Sequence, residues 1–294
     1  MSEQNIFQQA CLLQLSTSCW QGAKALEPSV IESRFTDGQS QWLSGRKFLV
    51  SPDSLAKVRA VISKARTFVE KLALPFPVAG LTLVPKEMLT RIDNGLEGIR
   101  QEFFSAVGEF IAVYDDERRE AEKSLGELFN EADYPIDIRS KFKLEWRFLT
   151  LDVPGKSRIL PPEVYEREKA KFQAMMEETH ELAVTALREE FGGLVHHMLD
   201  RLTGENGKPK RFKSSMLDKM QDFISGFEGR NLFDDEGFAD LVEQAKAIVS
   251  GVSPESLREN PQLRQRVSSK MSEIKDAIDN ALEDLPRRKI RLAA

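Results

Sequence analysis

Any chemistry in this 294-residue chain must start from three histidines, two cysteines and two basic clusters. Imidazole and thiol groups ligate transition metals and carry protons or attack near neutral pH. His180 follows Glu177 by three positions, the carboxylate–imidazole spacing of di-iron helix bundles. Such a site needs a second Glu-x-x-His, and Gly193 stands three before His196. His180 has no second histidine at the zinc-protease offset, where Val184 stands. His196 and His197 fall near a helix end and read as one core-edge and one surface histidine. Cys11 and Cys19 lie in a segment of strand character, about 27 Å apart at full extension. That distance forbids a disulfide unless the chain turns back. No Cys-x-x-Cys occurs, which excludes zinc fingers and ribbons. The expectation is two buried thiols in a reducing compartment and no metal centre.

Phosphate chemistry has two candidates. Val153-Pro154-Gly155-Lys156-Ser157 resembles the end of a phosphate-binding loop. The required glycine at 150 is Thr, and Pro161-Pro162 arrives too soon for the following helix. A β-turn at Pro154-Gly155 is the better account. Lys208, Lys210, Arg211 and Lys213 form a basic cluster after a glycine turn, and Arg287, Arg288, Lys289 and Arg291 form another. Such clusters neutralise phosphates without reading sequence, and they also serve as solubilising surface. The net charge of −5 argues against a protein that is basic all over. No Ser-His-Asp, Cys-His or paired-carboxylate arrangement stands out. No catalytic residue, cofactor or enzymatic activity is therefore expected.

The elements that must position these groups are mostly helices. Hydrophobic residues make up 41% of the chain and charged residues 30%, enough for a core and against global disorder. No run of 18 uncharged apolar residues exists, so no transmembrane helix is expected. No basic start precedes the first apolar stretch, so the cytoplasm is the default compartment. Leu13, Leu15, Thr17 and Cys19 alternate with Gln14, Ser16 and Ser18, which predicts a half-buried strand. Trp42–Val50 carries a turn signal between apolar ends and suggests a short strand. Ser51-Pro52 then starts a helix carrying Leu55, Val58, Ile62, Ala65, Val69 and Leu72, which must stop before Pro75.

The most regular stripe runs Met88, Ile92, Leu96, Ile99, Phe103, Val107, Phe110, Tyr114. Its spacing repeats every eleven residues, which implies a long, nearly straight helix reaching about residue 129. Forty-five residues would span about 68 Å and give an elongated molecule. Gly95, Gly98 and Gly108 weaken this helix or permit close contact. Asp115-Asp116-Glu117 and Asp234-Asp235-Glu236 read as exposed helix ends, the latter suiting a first turn. Phe142, Leu144, Trp146 and Phe148 alternate with charged residues as a clean strand. A second long helix follows Pro161-Pro162, with a stripe from Phe172, Met175, Thr179, Leu182 and Ala186 to Leu187, Phe191, Leu194, Met198 and Leu202. Shorter helices cover 212–228, 235–250 and the stretch after Asn260-Pro261.

The expected architecture is mainly α. It is an elongated, coiled-coil-like antiparallel hairpin of 86–129 against 163–203, with a small β component and a C-terminal set of shorter helices. The division is 1–84 as an α+β segment, 85–204 as the hairpin with a β-containing tip at 130–161, and 205–294 as a helical region with a basic tail. Phe142, Trp146 and Phe148 at the tip form a candidate partner surface. A membrane-acting hairpin is a further alternative by shape alone.

Several segments together resemble an uncharacterised family, a domain of unknown function. They are Leu83–Leu89, Arg139–Phe142, Trp146–Phe148, Pro161–Lys169, Leu187–Phe191 and Leu202–Phe212. The resemblance implies a protein of bacteria, phages and integrative elements. Its members are often encoded near a MoxR/CobS-like AAA+ ATPase and a CobT-like von Willebrand A protein. The long matched stripes and the lack of a catalytic arrangement point to a non-enzymatic structural or adaptor role in a phage or mobile-element machine, with such an ATPase or a second copy as partner. The alternative is a nucleic-acid-associated factor acting through Lys208, Lys210, Arg211 and Lys213.

Overall fold

The computed structural model describes residues 6–34, 43–151, 160–203 and 214–283. In chain order these hold β1 (Ala10–Ser18), β2 (Ala23–Ala25), α1 (Pro28–Arg34), β3 (Arg46–Phe48), α2 (Ala56–Leu72), β4 (Leu74–Pro75), β5 (Thr82–Pro85) and α3 (Lys86–Leu125). There follow β6 (Lys143–Leu149), α4 (Pro162–Thr203), α5 (Ser214–Arg230), α6 (Glu236–Val249), α7 (Pro254–Glu259) and α8 (Pro261–Glu283). The protein is mainly helical with a small antiparallel sheet component, as its periodicities require.

Two compact units divide the chain, neither of them continuous in sequence. One contains Met1–Leu13, Leu72–Leu89 and Phe148–Ala294, and the other Gln14–Lys71 and Thr90–Arg147. The larger sheet has the order β4-β5-β1-β6, and β2 pairs with β3 in a separate ribbon. Residues Ala10–Leu13 run antiparallel to Thr82–Pro85, with Leu12 opposite Leu83.

In the unit of Gln14–Lys71 and Thr90–Arg147, α2 lies antiparallel to α3. Lys57 pairs with Glu109 and Lys64 with Glu102, while the Phe68 ring sits over Gly95. As one helix advances, its partners on the other fall back. The stripe residues of both helices are buried, from Val58 through Val69 and from Ile92 through Tyr114. Their spacing of three and four places them on one face of each helix, so one packing event removes both stripes from water. Asp115, Asp116 and Glu117 sit inside α3 rather than at a helix end. Glu117 nonetheless works as a cap: its Oε2 accepts the Ser51 backbone N–H at 2.7 Å, where the 3-10 turn leading into α2 begins.

In the other unit α4 packs antiparallel on α8. Gly192 lies against Ile278, and Arg188 donates to the Ala281 carbonyl oxygen at 3.1 Å. Phe191, Phe223, Phe227 and Phe238 stack or meet edge to face in this core, with centroids 5.1–6.0 Å apart. The buried stripe of α4 is Thr179, Ala183, Leu187, Phe191, Val195, Met198 and Leu202. It keeps the predicted C-terminal half and takes Ala183 and Val195 in place of Leu182 and Leu194. Two helix starts are capped by side chains. Asp235 accepts from Phe238 N at 3.1 Å to begin α6, and Ser253 and Ser256 form a reciprocal capping box for α7.

Within its own unit each long helix has a helical partner, α2 for α3 and α8 for α4. The segment 130–161 contains the strand β6, which joins β1 in the larger sheet. Both His196 and His197 are exposed, so neither is the core-edge histidine expected. Met198 and Leu199 take the inward positions instead. Cys11 and Cys19 are free and half-buried rather than buried.

Candidate interaction surface

Trp146 lies midway along β6, where successive side chains alternate between faces. Leu144, two residues earlier, is 1% exposed, and Trp146 is half-buried. Its indole Nε1–H donates to Asp93 Oδ1 at 2.8 Å. The Arg100 guanidinium lies over the same ring, 5.6 Å from the centroid. Asp93 and Arg100 are seven positions apart, two turns along one face of α3. Glu97, between them, pairs with Arg100 at 2.8 Å and holds the guanidinium in place. Phe104 continues this face one turn further and is 52% exposed.

The arrangement is a surface side chain already fixed from two directions. A cation–π contact at an exposed site contributes about 0.5–1 kcal/mol, and the indole hydrogen bond about as much again. Trp and Arg are the residue types that dominate binding energy when an interface closes over them. A Trp whose rotamer is already set loses little entropy on binding.

The three aromatic residues expected to form one surface divide. Trp146 is half-buried and Phe148 is 38% exposed. Phe142 is 5% exposed and meets Phe110 edge to face at 5.6 Å. Phe110 in turn belongs to a ring cluster with Trp20, Tyr114 and Tyr134. Phe142 therefore anchors the strand in the core while Trp146 is presented. Sequence reasoning missed Asp93, Arg100 and Phe104. Their spacing of 7 and 4 was visible, but polar residues at that spacing ordinarily mark a solvated face.

The same unit holds a buried carboxylate, Asp133, whose side chain is 1% exposed. Lys24 hydrogen-bonds its Oδ1, and Lys47 Nζ lies 2.6 Å from Oδ2 while donating to the Leu128 carbonyl oxygen. Burial alone would raise this carboxyl, but the two ammonium groups outweigh it and hold it below its ordinary value. Next in sequence, Tyr134 donates its hydroxyl to the Leu49 carbonyl oxygen at 2.9 Å. Burial, reinforced by the neighbouring Tyr114, pushes its phenol up to about 12. These groups tie the strand-rich start of the unit to residues 133 and 134; they are a structural clamp. A groove of about 440 Å³ lies alongside, lined by Leu26, Phe48, Val50, Leu125 and Leu128.

Burial raises the thiols of Cys11 and Cys19, and at Cys19 this outweighs the opposing pull of Arg59. Neither is poised as a thiolate nucleophile. Among the described residues no group of three or more His, Cys, Asp or Glu side chains is placed to hold a metal ion. His180 meets the Phe233 ring at a tilt of 38° with centroids 4.5 Å apart, and that contact accounts for its position. Lys208, Lys210, Arg211 and Lys213, the turn at Pro154-Gly155 and the basic tail lie outside the described residues. No helix of the described residues is long and apolar enough to cross a membrane.

Residues 7–204 match the model of the family described as Protein of unknown function (DUF3150). The chain belongs to the DUF3150 family. No curated protein and no solved structure matches it. The DUF3150 span includes Trp146, Asp93, Arg100 and Phe104 together with the clamp at Asp133 and Tyr134. It ends at residue 204, so α5 to α8, including the α4 partner α8, follow it.

Proposed function

We propose that this DUF3150 protein is a non-enzymatic structural or adaptor component of a phage or mobile-element machine, with a MoxR-type AAA+ ATPase as its partner. The supporting observation is Trp146, held by Asp93 and covered by Arg100 on the surface of its unit. Binding through such a surface makes and breaks no covalent bond. It presents side chains whose positions are set before the partner arrives. The choice of partner class rests on the resemblance to a family encoded near such ATPases.

The test is a titration of the purified full chain with a MoxR-type ATPase from the same host, followed by calorimetry. Micromolar or tighter affinity is expected. Arg100→Ala and Trp146→Ala should each weaken it at least tenfold, about 1.4 kcal/mol. Absence of binding, or binding that both substitutions leave unchanged, would overturn the reading. Hydrolysis of a nucleotide by the purified chain alone would also count against it.

A further inference from the structure

The second strand edge of the larger sheet offers more than one side chain. In the order β4-β5-β1-β6, β6 is terminal, and among the described residues no strand lies beyond it. The opposite edge, β4, has two residues, one of them Pro75, which has no N–H to offer. The seven residues of β6 are Lys143, Leu144, Glu145, Trp146, Arg147, Phe148 and Leu149. Among the described residues, β6 is therefore the one edge of the sheet long enough to template another strand.

The charges along this edge are ordered. Lys143, Glu145 and Arg147 alternate in sign at intervals of two, which places them on one face. Glu145 is half exposed and pairs with Lys143 at 2.8 Å. Arg147 is exposed and has no acidic partner among the described residues. The strand thus carries one more cation than its own anions satisfy.

We infer that β6 is a self-association edge, on which two copies of the chain pair their β6 strands antiparallel with Trp146 opposite Trp146. This register overlaps all seven residues, setting 143 against 149, 144 against 148, and 145 against 147. It places Glu145 of each copy opposite Arg147 of the other, twice over, and supplies the stranded cation with its anion. Leu144 meets Phe148 in the same register, an apolar pair repeated by symmetry. Directly opposed residues are the units of sheet stabilisation, so both pairs contribute. A register centred on Glu145 sets Glu145 against Glu145 and Lys143 against Arg147, opposing like charges. One centred on Leu144 leaves three residues of overlap. The register of fullest overlap is therefore also the one that matches charge. A self-paired C2 interface of this kind closes and does not propagate into a fibre.

This inference goes beyond the adaptor reading and does not depend on it. The experiment is sedimentation velocity on the full chain across a concentration series, with circular dichroism confirming that each variant is folded. The wild type is expected to form a dimer. Glu145→Lys and Arg147→Glu, each placing like charges opposite one another, should raise the dimer dissociation constant at least tenfold. Combining the two exchanges the charges and should restore the dimer. A wild type that stays monomeric throughout, single reversals that leave dimerisation unchanged, or a double variant that fails to recover would each overturn the proposal. The dimer is read on Glu145 and Arg147, and ATPase binding on Arg100. Loss of ATPase binding and loss of dimerisation are thus read on different variants.

Discussion

The ring of Phe68 lies against the bare Cα of Gly95, so close that a Cβ added there would stand 2.1 Å from Cζ. This contact lets α2 and α3 approach, and it separates three glycines that look alike in the sequence. Nothing lies within 4 Å of a Cβ at Gly98 or Gly108. Alanine favours a helix interior over glycine by about 1 kcal/mol. Gly98→Ala and Gly108→Ala should therefore stabilise the protein by about 0.5–1 kcal/mol each. Gly95→Ala should destabilise it by about 1–2 kcal/mol, because overpacking outweighs the helical gain. Urea unfolding of the three single variants measures the contrast.

Asp133 is the counter-ion of Lys47, whose side chain is only 12% exposed. Asp133→Asn would leave that ammonium buried without its anion. A loss of about 3 kcal/mol at neutral pH is expected, the low end for breaking a buried pair. Because the folded carboxyl titrates below its unfolded value, its stabilisation is present above about pH 4. It is lost as pH falls through the lowered native value. Acid unfolding should show the wild type and Asp133→Asn differing at pH 7 and converging at low pH.

Tyr134 gives the opposite pH dependence. Its phenol is pushed up to about 12, so the folded state holds that proton more tightly than the unfolded chain. The associated stability is complete below about pH 10 and is lost as pH rises through 12. Tyr134→Phe removes this alkaline slope and leaves the Leu49 carbonyl unpaired, at a cost of about 1 kcal/mol. Absorbance titration at alkaline pH should lose its latest phenol step in that variant.

Asp235 does two jobs with two oxygens. Oδ1 accepts from the Phe238 N–H to cap α6, while Oδ2 accepts from Arg188 at 2.8 Å. Asp235→Asn keeps an acceptor for the cap and loses the ion pair. Asp235→Ala loses both, and should be about 1 kcal/mol less stable than Asp235→Asn, the ordinary worth of an N-cap. Thermal melts of the two variants under identical conditions resolve the difference.

Legibility in the sequence followed the range of the interaction. The stripe from Met88 to Tyr114 is buried at all eight positions, because a helical period is written in neighbours three and four apart. The same holds for Leu55 through Leu72 and for the β6 alternation. The stripe of α4 was partly misread where Leu182 and Leu194 lie beside the buried Ala183 and Val195. Small and large apolar residues on adjacent positions give a helix two plausible faces, and only a partner chooses between them.

By itself the sequence determined the long helices, the alternating strands and most of the faces that must leave water. Those are local consequences of backbone geometry and side-chain polarity. Tertiary structure alone decided that α3 packs with α2 and α4 with α8, that Phe142 is core while Trp146 is presented, and that Asp93 and Arg100 hold the indole. An apolar stripe specifies that it must be covered but carries no label for its cover. The pairings are chosen by contacts between residues far apart in the chain, such as Phe68 with Gly95 and Gly192 with Ile278. Their fit in shape and charge exists only once the chain has folded.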